Sequence, residues 1–374
     1  MELEKIPEGR IDLKAVIVHP YLAVLGGGER VCFYSVKALL DKGWDVALVS
    51  QRLDEQFVED MIGFNVFEEV EHIPYPNFNP LVNRFRAYQR TFHHLMAKKK
   101  LNDLHFELKL LTQDVGLNAA RADKTVAYIH YPEFFVHLEE NPNSFFWKAY
   151  YWPLRRYWMS QVRIVDLFIA NSNYTRSKIL NKWNKDAKVV YPPVETHIFR
   201  PSSQKEDKVI SVGRITSSKR YENILEIAQE MPELKFLILG LKQDESYFKS
   251  LLRRKPSNVC IKTNVTRKLL VEELSSSKLY LHCMHGEHFG ISVVEAMAAG
   301  CVPIVHDSGG VREIVTPTVG FRYTDLKEAI TKIKTALEDE GLYRKLSQNS
   351  VKESAKFSVE NFKKSLISFI STLG

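Results

Sequence analysis

The sequence predicts an α/β protein built from two doubly wound parallel sheets. Three observations carry that prediction. Short apolar runs alternate with helix-length segments through both halves of the chain, the rhythm of βαβ units. The strand-to-helix turns hold glycines or cations, as in Gly26-Gly27-Gly28 and Gly213-Arg214. The length, 374 residues, suits two domains of ordinary size.

Composition narrows the class. Hydrophobic content of 45% and charged content of 26% describe a globular chain with ample material for two cores. No apolar run is long enough for a transmembrane helix. Residues 1–13 are charged and lack a signal-peptide core. Cys32, Cys260, Cys283 and Cys301 are scattered, mostly in apolar strand-like contexts, and are expected to be reduced core thiols of an intracellular protein. No Cys-x-x-Cys or His/Cys pair has metal-ligand spacing, so no metal is expected. The net charge of +7 suits nucleic acid, anionic lipid or phosphorylated substrates. The absence of a basic repeat or recognised nucleic-acid motif argues against the first.

In the first half, Ala15–His19 reads as a strand and residues 20–25 as a loop. Gly26-Gly27-Gly28 then opens a helix to about Lys42, and Asp45–Ser50 is the second strand. A dinucleotide fingerprint needs a third glycine where Val31 stands and an acid at the end of the second strand. That strand closes with Ser50-Gln51-Arg52, which argues against a nicotinamide or flavin site. The turn still lets a ligand approach the backbone and an anion approach the helix N-terminus. Residues 81–100 carry apolar side chains at helical spacing among Arg84, Arg86, Arg90 and Lys98-Lys99-Lys100. A helix packed on the core and a basic amphipathic helix on a membrane both fit. Glu107–Thr112 and Thr125–Ile129 are strands, and His130 ends the latter, placed to touch a ligand or to serve structure. Residues 145–158 are dense in aromatics beside Arg155 and Arg156, equally suited to an anionic bilayer or to burial. Val165–Asn171 and Ala187–Tyr191 are further strands around a helix at Tyr174–Trp183. Residues 192–207, polar and proline-containing, read as a linker.

The second half places strands at Val209–Val212, Lys235–Leu239, Val259–Lys262, Leu279–Cys283 and Val302–Val305, with helices between them and a helical chain beyond Gly320. Arg214 and Lys219 share the first strand-to-helix turn, where two cations can neutralise a diphosphate. Glu287 and Glu295 stand eight residues apart around a helix start. Backbone N–H groups there attract anions while the carboxylates accept from hydroxyls, which suits a phosphorylated sugar. Two solvated acids on an ordinary helix fit the same spacing. The expected domains are 1–198 and 199–357, with the C-terminal helix 358–374 free to pack back on the first.

Together these elements resemble the retaining glycosyltransferases of family four, which have the GT-B fold of two Rossmann-like domains facing across a cleft. The E-x7-E element is Glu287 to Glu295, the basic pair Arg214 and Lys219, the glycine loop Gly26-Gly27-Gly28, and the strand-end histidine His130. His19-Pro20-Tyr21, Val190-Tyr191-Pro192-Pro193 and Ser308-Gly309-Gly310 further resemble the mannosyltransferases of the family that extend lipid-linked oligosaccharides from GDP-mannose. The resemblance implies metal-independent hexose transfer from a nucleotide sugar to a lipid-linked or glycan acceptor. It implies a peripheral enzyme on the cytoplasmic face of an anionic membrane. Arg214 and Lys219 would stabilise the leaving diphosphate, aided by amides at Phe289, Gly290, Ile291 and Ser292. Glu295 would hold the ribose and Glu287 the transferred sugar, which His130 would also contact. Gly27 and Gly28 would admit phosphate or acceptor. A UDP-sugar transferase with a soluble acceptor and a non-catalytic nucleotide-sugar-binding subunit are the alternatives.

Overall fold

The computed structural model describes residues 14–22, 26–51, 55–78, 85–132 and 143–373. The chain divides into two compact units. The first holds Met1–Ala170, Lys178–Lys188 and Lys363–Gly374, and the second Asn171–Ser177 and Val189–Phe362.

The strands of the first unit are β1 (Lys14–His19), β2 (Asp45–Ser50), β3 (Glu71–Pro74), β4 (His105–Leu111), β5 (Arg121–Ile129), β6 (Leu167–Ala170) and β7 (Lys188–Val189). Its described helices are α1 (Gly27–Leu40), α2 (Glu55–Ile62), α3 (Arg86–Leu101) and α4 (Phe145–Arg163), and α5 (Asn173–Trp183) runs into it. The sheet order is β3-β2-β1-β4-β5-β6-β7. Alternate residues of a strand face opposite sides of a sheet. Val16 and Val18 pack with Ala97 and Leu101 of α3 and Val162 of α4, while Ala15 and Ile17 are equally buried. Burial of both faces is what a parallel sheet between helices requires.

The second unit contains β8 (Glu206–Val212), β9 (Lys235–Gly240), β10 (Val259–Thr263), β11 (Ser277–His282), β12 (Val302–His306) and β13 (Phe321–Tyr323). Its helices are α6 (Tyr221–Gln229), α7 (Glu245–Arg254), α8 (Arg267–Ser276), α9 (Ile291–Ala298), α10 (Val311–Ile314), α11 (Leu326–Glu338) and α12 (Glu340–Ser354), and α13 (Val359–Ile370) begins in this unit and belongs to the first from Lys363. The order β10-β9-β8-β11-β12-β13 repeats the pattern of the first sheet. Leu279 and Leu281 pack with Ile224, Ile333 and Tyr343 on one face. Tyr280 between them packs with Val293, Met297 and Phe357 on the other.

The alternation of elements follows the sequence reading, with differences at the edges. Phe321–Tyr323 is an edge strand inside a stretch expected to be helical, and β3 was not expected. Both are short and polar enough to show no apolar run. Residues 192–207 are not a loose linker. Val194 and Phe199 are buried in the second unit, and Val194 bridges to Ser358. The expected helix over 81–100 is described from Arg86, and residues 81–84 lie outside the described residues. Its buried face is Thr91, His94, Ala97 and Leu101, whereas Phe92, Leu95 and Met96 are 65%, 43% and 59% exposed. Cys32, Cys283 and Cys301 are buried free thiols, and Cys260 is exposed. Among the described residues no helix is long and apolar enough to cross a membrane.

Candidate active site

Ligands of open α/β sheets gather at the carboxyl edge where the strand order reverses. In the second unit that point lies between β8 and β11. The turn after β8 carries Arg214 and Lys219, and the loop after β11 carries Glu287. Lys219 Nζ lies 2.5 Å from Glu287 Oε2, with the side chains only 15% and 14% exposed. His282, at the end of β11, places Nε2 3.3 Å from the same oxygen. Burial alone would push the Glu287 carboxyl up, but the Lys219 charge and the contacts to Lys219 and His282 hold it well below the usual carboxylate range. Burial pushes the His282 imidazole down, so Lys219 is the cation that keeps Glu287 ionised.

Backbone packing fixes the Glu287 loop. Gly310 N donates to Glu287 O at 2.6 Å, and Ser172 Oγ donates to His288 O at 2.7 Å. Gly286 N donates to Ser308 Oγ at 2.8 Å. Gly309 sits at φ +77°, and a Cβ there would come within 2.3 Å of Glu287 O; one on Gly310 would come within 2.1 Å of His288 O. The Ser308-Gly309-Gly310 run is thus demanded by close approach to this loop. Gly290, at φ +105°, then turns the chain into α9 with no side-chain cap. The N–H groups of Ile291 and Ser292 open the helix, while Ser292 Oγ accepts from Tyr280 at 2.8 Å.

The remaining expected residues fall in different settings. Arg214 is exposed. Glu295 is buried and meets Arg267 Nη1 at 3.2 Å, and the other Arg267 nitrogen bonds Glu195. The Phe289 side chain belongs to the core, stacked on Tyr191 at 5.6 Å, so only its backbone is available to a ligand. Sequence reasoning did not single out His282, Arg267, Glu195 or Ser172. His282 carried the signal used for His130, a histidine ending a buried strand. The partners of Glu295 and the loop had none, because nothing local distinguishes them.

The first unit brings together its own expected residues. Gly27 and Gly28 begin α1, and Glu29 turns back to accept from Gly26 N at 2.9 Å, so its side chain satisfies the amide of the N-cap glycine. A Cβ on Gly28 would sit 3.5 Å from His130 Nε2, so the imidazole lies against this glycine. His130 Nε2 donates to Thr112 O at 2.9 Å, which fixes the ring and its tautomer. Thr112 Oγ1 also meets His19 Nδ1 at 3.0 Å. Burial, then the neighbouring His130, pushes His19 down to about 3. Among the described residues no three His, Cys, Asp or Glu groups are placed to hold a metal ion.

Each unit thus presents polar groups at the carboxyl edge of a parallel sheet, and the chain is similar to known proteins over nearly its whole length. Residues 25–198 match the family model described as Glycosyltransferase Family 4, and residues 194–353 match Glycosyl transferases group 1. A Xenopus laevis protein named GDP-Man:Man(3)GlcNAc(2)-PP-Dol alpha-1,2-mannosyltransferase is 25% identical, over 96% of this chain and 87% of its own length. The human protein of the same name is 25% identical over 98% and 88%. HepE of Anabaena, solved with UDP and glucose, superposes with a TM-score of 0.73 at 16% identity, covering 96% of this chain and 99% of its own. Sucrose-phosphate synthase of Thermosynechococcus elongatus gives 0.73 at 15% identity, covering 96% and 99%. Those likenesses show the GT-B fold. With both halves matched in order by the two family models, the chain belongs to the family-four glycosyltransferases.

Proposed function

We propose that this glycosyltransferase moves mannose from GDP-mannose, with retention at the anomeric carbon, to a lipid-linked or glycan acceptor at the cytoplasmic membrane surface. The observation that carries the reading is the enclosed Lys219–Glu287 pair at the strand-order reversal of the second unit. The preference for GDP-mannose rests on the names of the relatives.

In this reading the anomeric carbon–oxygen bond to the diphosphate breaks as the acceptor oxygen bonds to the same carbon. The departing diphosphate oxygen takes the acceptor proton, so no protein nucleophile is needed. Lys219 and Arg214 stabilise the developing negative charge in place of a metal ion, with the amides of Phe289 to Ser292. Glu287, kept ionised, accepts from hydroxyls of the transferred sugar and stabilises positive charge on its ring. Glu295 accepts from the ribose, its carboxylate oriented by Arg267. In the first unit His130 contacts the transferred sugar, and Gly27 and Gly28 leave room for phosphate or acceptor. Exposed Phe85, Phe92, Phe145, Phe146 and Trp152 support a membrane-facing role for α3 and α4.

Thermal denaturation with GDP- and UDP-sugars, followed by transfer assays, tests the reading. GDP-mannose at a hundredfold excess over its Kd is expected to stabilise the second unit by about 2.7 kcal/mol. Arg214→Ala with Lys219→Ala is expected to abolish transfer. Unchanged turnover in that double variant would refute the site, and selective stabilisation by a UDP-sugar would move the donor assignment. Wild type should float with anionic vesicles and Trp152→Ala/Phe145→Ser should not; no flotation of wild type would refute membrane docking.

A further inference from the structure

The first unit reverses its strand order between β1 and β4, and its carboxyl edge there is not used up by Gly28 and His130. Tyr21 follows β1, Tyr75 follows β3, and Gln113 and Asp114 follow β4. Gln113 bridges the reversal point. Its Oε1 accepts from Tyr21 N at 3.0 Å, and its Nε2 donates to Tyr21 O at 3.0 Å. Over this bridge stands Arg90 of α3, its guanidinium 4.7 Å above the Tyr21 ring. Arg90 Nε is buried without a hydrogen-bond partner, and among the described residues no carboxylate lies within ion-pair distance of it. Asp114 feels its charge without pairing with it.

His93, one turn further along α3, places Nδ1 3.5 Å from Tyr21 Oη and packs against Tyr75 and Phe78. Arg90 is only partly buried, yet its guanidinium has an Nε without an acceptor, which an anion would supply. Guanidinium planes match phosphate oxygens in a bidentate fork. The same helix turns Phe92, Leu95 and Met96 outward, at 65%, 43% and 59% exposure, on the face opposite the one that carries Arg90, His94 and Ala97.

Resting on the glycosyltransferase reading above, we infer that Arg90, with Tyr21 and His93, forms a subsite for the phosphate of the acceptor, and that this phosphate is carried by a lipid. The acceptor's phosphate docks on Arg90 at the strand-order reversal, and its lipid carrier follows from the membrane-surface acceptor of that reading. Arg90 is then a binding residue for the acceptor and not for the donor.

The test compares two acceptors bearing the same glycan, one on a prenyl diphosphate and one on a neutral alkyl glycoside. Arg90→Gln is expected to raise the KM of the diphosphate-linked acceptor roughly ten- to hundredfold, the loss of a charge-assisted contact. The KM values for nucleotide sugar and for the neutral acceptor should stay unchanged, and Arg90→Lys should recover part of the loss. Equal losses with both acceptors, or none with either, would overturn the inference. Prenyl diphosphate should inhibit wild type at far lower concentration than inorganic pyrophosphate, and equal potency would overturn the lipid source. Direct titration of wild type and Arg90→Gln with prenyl diphosphate reads the subsite without turnover. Weaker binding to the variant supports the inference even if the donor assignment fails, and equal binding overturns it even if transfer is observed.

Discussion

Replacing Lys219 by Met, Glu287 by Gln, and both together measures whether the pair is the enclosed ionic unit described above. Lys219 Nζ and Glu287 Oε2 are 2.5 Å apart with about one-seventh of each side chain exposed, from 15% and 14%. Removing Lys219 leaves a carboxylate whose remaining neighbour, His282, is itself disfavoured as a cation by burial. Breaking one side of a buried pair costs about 3–5 kcal/mol, whereas replacing both sides is often close to neutral. Residual solvent contact lowers this to about 2–4 kcal/mol per single substitution. The second unit should then lose roughly 4–16 °C in Tm for either single variant, at about 2–4 °C per kcal/mol. The double variant should fall by far less than the sum. Calorimetry must follow that unit's own transition, because a chain of two units need not unfold in one step. The depressed Glu287 carboxyl gives the pH sign: its stabilisation is complete above the unfolded carboxylate range and fades as pH falls through the folded value. The single-variant penalty should therefore shrink in acid. Additive losses, or a Lys219→Met protein within about 1 °C of wild type, would refute the reasoning.

Two further outcomes follow from the same structure. His94 and His19 are buried and pushed down to about 3, in each case chiefly by burial. Each stays neutral in the fold while the unfolded chain takes up a proton below about 6.5, so stability is complete above that value. It falls toward pH 3 by about 1.4 kcal/mol per pH unit for each histidine. Asp114, pushed up to about 6 by burial, acts with the opposite sign. His94→Gln should flatten the acid limb by one histidine's share, and an unaltered slope in urea titrations would count against buried neutral His94. Gly310→Ala drives a methyl to 2.1 Å from His288 O, so it should displace the Glu287 loop and abolish nucleotide-sugar binding. Gly43→Ala, at φ +81° with nothing within 4 Å, should cost only about 1–2 kcal/mol and preserve binding. Isothermal titration of both variants with the donor separates crowding from backbone strain, and intact binding by Gly310→Ala would refute the close-approach argument.

The strands that carry the sites were legible because a central parallel strand is buried on both faces and reads as an apolar run. The unexpected β3 and β13 stand at sheet edges, where Glu71-His72-Ile73-Pro74 and Phe321-Arg322-Tyr323 need no such run. The face of α3 was illegible for a related reason. Its large apolar residues mark one stripe, yet the sheet takes the stripe of Thr91, His94, Ala97 and Leu101, so periodicity located the helix but not its orientation. Pairing was harder still. Lys219 and Glu287 are 68 residues apart and meet only because the order reversal makes β8 and β11 neighbours. Local sequence therefore identifies which side chains stand at the mouth of each sheet, while topology decides which of them meet. The same reversal, between β1 and β4, brings Tyr21 to Gln113 across a separation of 92 residues, beneath Arg90. One strand order, used twice, thus sets a matched cation–carboxylate pair at one reversal point and, at the other, a cation with no carboxylate within ion-pair distance among the described residues. The first holds its own charge before any ligand arrives, whereas at the second the Arg90 Nε is left without an acceptor, which is why Arg90 is the more informative position for acceptor chemistry.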